Sequence, residues 1–294
     1  MTASSAAAGS GVSGVIVPAD LMSPDALVEY VQRLEALGYD SVWIPDMFGR
    51  EIYVAAGHLL ANTTSLRVGS GIAHIYGRDA IETAQAGATL TELSGGRFIH
   101  GLGVSHPPAA EIRGLQWENP VAKMRAYLAA MKASPIANPN RPSPPVYIAA
   151  HGPKMMQVAA DAADGAYTYM QPSSHTAESR ATLGPDKGLS VVLPVCMTTD
   201  PVAARTAGRR AISIYLPLPA YHRQWRRFGF DESDWSGEGS DRLVDASVAW
   251  GDEDAIRVRI AEHLDAGATQ VQLGVNNPHG SGPPWDLLEA LSPR

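Results

Sequence analysis

The chain has a single cysteine, Cys196, in 294 residues, which excludes an internal disulfide and a cysteine-rich metal site. Lysine is almost as scarce: Lys123, Lys132, Lys154 and Lys187 are the only four, against 19 arginines. None lies in a stretch that reads as a strand, which argues against Schiff-base chemistry. No apolar run reaches membrane-spanning length. There is no basic run and the net charge is −7, so a nucleic-acid partner is not expected. Met1–Gly11 lacks the basic and apolar regions of a signal peptide. It reads as a disordered tail, with the cytoplasm as the default location. No H-x-x-x-H spacing occurs, and His74, His106 and His151 have no evident carboxylate partner, so no metal site is expected. Asp46 and Asp200 are candidate facing carboxylates for glycoside hydrolysis, but no motif supports the pair.

What is present alternates in period. Val12–Val17 reads as a buried strand. Ser23-Pro24 opens a helix with an apolar face of Leu27, Val31, Leu34 and Leu37 that ends at Gly38. Further strands are expected at Ser41–Pro45, Leu66–Ile75, Arg97–Leu102, Val146–Ala150, Ala166–Met170, Leu189–Met197 and Thr269–Val275. Helices are expected at Ile52–Ala61, Asp79–Leu93, Asn119–Lys132, Gly152–Asp164 and Asp252–Asp265, with a short one after Pro284. Ser134–Pro145 reads as a proline-rich surface connection, and Gln171–Gly188 as a loop with one helical turn. Thr199–Phe230 reads as mostly helical and Phe230–Asp241 as a polar loop. Eight apolar strands, each followed by a helical segment, predict a (β/α)8 TIM barrel over residues 12–294, with an extended segment after strand seven. The competing open doubly wound sheet would want G-x-G-x-x-G after the first strand, and none is there.

A barrel places its active site at the C-terminal strand ends. Glycines recur there: Gly69, Gly71, Gly101, Gly103, Gly152 and Gly274. Gly101 and Gly103, two apart on one strand, remove two side chains from one face. The slot suits a planar ring or another stretch of backbone, or the strand simply bends there. At AHGPKMM (Ala150–Met156), Gly152-Pro153 begins a helix whose first amides suit a phosphate, with Lys154 beside them; an ordinary strand-to-helix connection reads the same way. Tyr215–Trp235 is rich in aromatics and fits a lid, a subunit interface or a helix packed on the barrel.

Five stretches carry a family resemblance: LEALGYDSVWIPD (34–46), LRVGSGIAHIYGRDA (66–80), LTELSGGRFIHGLGVSH (90–106), PVYIAAHGPKMMQVAADAADGAY (145–167) and SDRLVDASVAWGD (240–252). In these the chain resembles the bacterial luciferase-like flavin and deazaflavin superfamily, most of all its coenzyme F420-dependent branch. The resemblance implies a cofactor on the C-terminal rim and a non-prolyl cis peptide at Gly71-Ile72 under the ring. It places Asp46 near ring or substrate, Gly103, Val104 and Ser105 along the ring, and Ala149, Ala150, His151, Gly152 and Pro153 around the ribityl phosphate. It also implies a homodimer and hydride transfer between a small organic substrate and F420. An FMN-dependent monooxygenase and a non-catalytic flavin-binding protein are the alternatives. The Asp-His pair of the family's sugar-phosphate dehydrogenases is Asp46-Met47 here, and His106 stands near the place of their glutamate. His106 is accordingly the candidate acid or base. Arg78 is expected either to meet an acidic cofactor tail or to solvate the following helix.

Overall fold

The computed structural model describes residues 12–137, 142–280 and 282–293. The expected N-terminal tail, and residues 138–141 of the proline-rich connection, lie outside the described residues. The strands are β1 (Val12–Ile16), β2 (Ser41–Ile44), β3 (Arg67–Ser70), β4 (Ala73–His74) and β5 (Phe98–Gly103), then β6 (Val146–Ala149), β7 (Gly165–Tyr169), β8 (Gly188–Met197), β9 (Ala249–Gly251) and β10 (Gln270–Val275). All pairings are parallel. They run from β1 through β2, β3, β5, β6, β7 and β8 to β10, which returns to β1 and closes a barrel. Local signals set the helices as expected. Ser23 Oγ accepts the Ala26 N–H at 3.3 Å with Pro24 at the first helical position, and Gly38 ends that helix at φ 84°. The outer face of the barrel and the helices share one core that includes Leu27, Leu34, Val42, Leu59, Val68, Ile148 and Leu273.

The barrel interior is packed around Trp43, which is fully buried. Its ring centroid lies 4.9 Å from that of Tyr167 and 6.1 Å from that of Tyr147, and its Nε1 donates to Ser41 Oγ at 3.2 Å. The glycines opposite are small because the indole is there. A Cβ on Gly69 would sit 2.6 Å from Trp43 Cδ2, and one on Gly71 3.0 Å from Trp43 Cβ. One on Gly101 would collide with the Ser70 carbonyl oxygen. The face at Gly101 therefore admits backbone and an indole rather than a cofactor ring.

Leu66–Ile75, expected as one strand, is two pieces sharing one stave. Gly69 stands opposite Ile99, but Ala73 stands opposite Leu102. Four steps on one side match three on the other, which is a bulge. The Gly71–Ile72 peptide inside it is cis, where the resemblance implied one. Ser70 Oγ replaces the missing ladder bonds, donating to the Gly101 carbonyl at 2.8 Å and accepting the Gly101 N–H at 2.9 Å.

Gln171–Gly188, expected as a loop with one turn, holds a helix at Ser173–Leu183. Its buried positions are His175, Thr176, Ser179 and Leu183, so the inward face is mostly polar and gives no apolar stripe. Tertiary bonds hold it instead: Thr176 Oγ1 lies 2.9 Å from His263 Nδ1, and the Arg180 Nε donates to the Gly267 carbonyl at 2.9 Å. Thr199–Phe230 splits into helices Pro201–Ile212 and Pro219–Arg227. The expected polar loop contains a helix at Glu232–Trp235, and β9 was not expected at all. β9 pairs with the end of β8 from Val195 to Met197. The aromatics of this segment bury Tyr221, Trp225 and Trp235 with Met170 and Cys196 in a second core. They thus form a helical layer packed on the barrel. Among the described residues no helix is long and apolar enough to cross a membrane.

Gly101→Ala is expected to destabilise the fold by ~3 kcal/mol or more, because backbone rather than a flexible side chain blocks the added methyl. Gly152→Ala, whose Cβ would meet only Gln224 Nε2 at 3.6 Å, is expected to cost under about 1 kcal/mol. Urea unfolding midpoints of the two variants check the contrast.

Candidate active site at the C-terminal rim

β2 ends at Ile44, and Pro45 carries the chain on to Asp46 at the rim, where it is 5 % exposed. Its Oδ2 accepts the His74 N–H at 3.0 Å and Arg78 Nη1 at 2.6 Å. The same guanidinium donates through Nε and Nη2 to Glu51 Oε1, at 3.2 and 2.8 Å. It also lies 5.2 Å from the Tyr53 ring centroid, and Tyr53 Oη sits 2.8 Å from His100 Nε2. Burial opposes the charge on Arg78, but the bonds to Asp46 and Glu51 outweigh it and hold the pKa above its ordinary value. Arg78 thus pairs with Asp46 and Glu51, partners that neither expectation named. The pair ties the end of β2 to β4, just beyond the bulge.

On the adjacent lip, a Cβ on Gly103 would collide with Ile72 Cδ1, so the Ile72 side chain fills the place that the glycine leaves. Val104 and Ser105 follow, both half-buried. Ser105 has φ 62° and Met170 has φ 54°, the two positive-φ residues other than glycine among the described residues. They mark the exits of β5 and β7, and such backbone outliers collect at functional sites. His106 follows in extended backbone and precedes Pro107 at the start of a short helix. β6 exits through Ala149, Ala150 and His151 to Gly152, which starts the helix Pro153–Ala162 without a side-chain cap. Lys154 is exposed beside it.

The rim histidines meet as a group. A charge on His106 would lower the pKa of both His74 and His151. Burial is the main cause in all three. It drives His74 to about 4, with Asp46 pulling the other way, drives His151 to about 3, and lowers His106 as well. At neutral pH the rim therefore presents neutral imidazoles. His74 Nδ1 is buried with no hydrogen-bond partner among the described residues. No three His, Cys, Asp or Glu side chains among the described residues are grouped to hold a metal.

The helix Pro219–Arg227 roofs this rim. Tyr221 is 3 % exposed, with its ring centroid 5.9 Å from His106, 5.3 Å from His151 and 4.7 Å from Tyr215. The Tyr169 ring lies 5.2 Å from that of Tyr215, tilted by 45°. Two open cavities lie on the surface. One of about 720 Å3 lies by Tyr30, Asn276 and Trp285, and one of about 660 Å3 by Arg209 and Trp235. The end of β7, Thr168 to Gln171, was expected at the rim from its place in the barrel, whereas His175 was not foreseen from sequence. Gln171 Nε2 lies 3.4 Å from His151 Nδ1, and His175 Nε2 lies 2.8 Å from the His151 carbonyl oxygen. The aromatic run at 215–235 was the one signal for Tyr221.

A 5,10-methylenetetrahydromethanopterin reductase of Methanolobus tindarius is 27 % identical, covering 84 % of this chain and 89 % of that protein. The solved structure of a coenzyme F420-dependent tetrahydromethanopterin reductase from Methanopyrus kandleri superposes with a TM-score of 0.74 at 18 % identity, covering 96 % and 97 % of the two chains. The oxygenating constituent of 3,6-diketocamphane monooxygenase from Pseudomonas putida, in complex with FMN, gives 0.70 at 15 % identity and 96 % of each chain. The model of the family described as luciferase-like monooxygenase matches residues 2–270, and the chain belongs to that family.

Proposed function

We propose that this protein is a coenzyme F420-dependent oxidoreductase that moves a hydride between a small organic substrate and the cofactor. One observation carries the reading: a single lip brings together the filled bulge at Ile72 and Gly103, the left-handed exit at Ser105 and the open loop at Gly152. The similarity over 84 % of the chain, at 24 % identity, to a putative coenzyme F420-dependent oxidoreductase of Mycobacterium tuberculosis favours the deazaflavin. The residues fit such a group. Gly152 leaves a surface where an added Cβ would meet only Gln224 Nε2, the first turn of the helix behind it offers the Lys154 amide, and His74 Nδ1 has no partner among the described residues.

When bound, F420 supplies the carbon that takes or gives the hydride. Gly103, Val104 and Ser105 would border the ring, Gly71 and Ile72 would support it, and Ala149 to Lys154 would hold the phosphate. Asp46 acts as a positioning residue, because its Oδ2 is committed to the His74 amide and Arg78. Neutral His106 would take the proton that the substrate loses on oxidation and return it in the reverse reaction. Tyr221 and Tyr169 keep water out. A homodimer and a cytoplasmic location complete the reading, and analytical ultracentrifugation tests the first.

Titration followed by fluorescence and absorbance is expected to show saturable F420 binding at micromolar levels or below, and weaker FMN binding. Tight FMN binding with oxygen uptake would instead make the protein a monooxygenase, since a deazaflavin does not readily activate O2. His106→Asn is expected to lower kcat about 10²-fold or more while the F420 Kd stays within about twofold. Because burial lowers the pKa of His106, the wild-type oxidation rate should hold down to pH 6.5 and fall only below it, and a pH–rate profile checks this. Asp46→Ala leaves Arg78 half paired and the His74 amide unmet, so unfolding in urea should show a loss of about 2–3 kcal/mol.

A further inference from the structure

The helix at Ser173–Leu183 carries His175 to the underside of the Gly152 loop. His175 is 2 % exposed. Its Nε2 lies 2.8 Å from the His151 carbonyl oxygen, and its Nδ1 lies 3.3 Å from Ser179 Oγ. A carbonyl oxygen only accepts, so Nε2 carries the hydrogen. In the neutral ring Nδ1 is then the acceptor, and Ser179 donates to it. The ring also packs edge-on to Phe228 at 6.1 Å.

The His151 carbonyl shares a peptide plane with the Gly152 N–H. In a trans peptide the two point in opposite directions. Holding the carbonyl toward His175 therefore turns the Gly152 N–H away from His175. The side chain of Gln224 lies across from this glycine. It is 7 % exposed. Its Oε1 accepts Arg227 Nη1 at 2.8 Å, while its Nε2 has no partner among the described residues. That Nε2 is the one atom that a Cβ on Gly152 would approach. The Gln224 amide, on a side chain that is mostly buried, the Gly152 amide and the Lys154 amide of the first helical turn surround one spot, a donor set that suits an anion.

We propose that His175 is a positioning residue that fixes the His151–Gly152 peptide so that its amide, with Gln224 Nε2, receives the phosphate of the cofactor. This rests on the cofactor reading above. Glu178 lies on the same helix and accepts Arg227 Nη2 at 2.5 Å, so one helix braces both sides of the anion site.

The test titrates wild type, His175→Ala and His175→Gln with F420 and with the same deazaflavin whose ribityl chain ends in a free hydroxyl. His175→Ala should raise the F420 Kd about tenfold, the worth of one hydrogen bond, and change the hydroxyl ligand by less than about twofold. His175→Gln, which keeps a donor at similar reach, should restore F420 binding to within about threefold of wild type. If His175→Ala fails to fold, His175→Met, which has similar length and no donor, takes its place with the same expected selectivity. Equal weakening of both ligands, or unchanged F420 binding, overturns the proposal. If wild type binds neither deazaflavin, the oxidoreductase reading falls and inorganic phosphate decides for His175. Thermal protection of wild type that is lost in the variant supports the role, whereas equal protection or none in wild type overturns it.

Discussion

An indole enclosed in a parallel barrel takes the volume that facing strands would otherwise fill with side chains. Trp43 imposes this on β3 and β5, which answer with Gly69, Gly71 and Gly101. Without side chains there, the two backbones approach until Ser70 can bond both polar groups of Gly101. The bulge lies just beyond, and it sets Ile72 at the mouth of the barrel, against Gly103. The floor of the candidate site thus follows from how the interior is packed, because close-packed cores leave no slack to absorb a misplaced strand.

The electrostatics of the rim follow from burial. The Asp46–Arg78 pair spends the buried carboxylate next to the bulge as a strut. The histidines around it stay neutral because taking a proton would place a charge in a dry site. Neutral imidazoles can accept or return a proton and hydrogen-bond an uncharged oxygen. This suits a cofactor that itself carries the hydride. The positive elements, Lys154 and the helix start at Gly152, lie to one side, where a phosphate would go.

The family was legible in motifs, and the barrel in the alternation of apolar strands with capped helices. The structure bears out the cis position at Gly71-Ile72. The glycine pattern was visible, but its cause was not: the same spacing suits a cofactor ring or a neighbouring indole, and the occupant comes from β2, about 60 residues earlier in the chain. Arg78 was similarly ambiguous, since its partners Asp46 and Glu51 lie 32 and 27 positions away.

The helix at Ser173–Leu183 shows the limit most clearly. Its buried face is histidine, threonine and serine, and polar residues at helical spacing carry no signal until their partners are known. Sequence by itself determined the elements whose cause is local: caps, apolar periods, glycine stops and the order of strands. Tertiary structure alone decided what fills the glycine faces, which ions pair across the rim and which imidazole holds the Gly152 loop. Each of these depends on groups distant in the chain meeting in a space that excludes water, where a hydrogen bond or a charge left unpaired is costly.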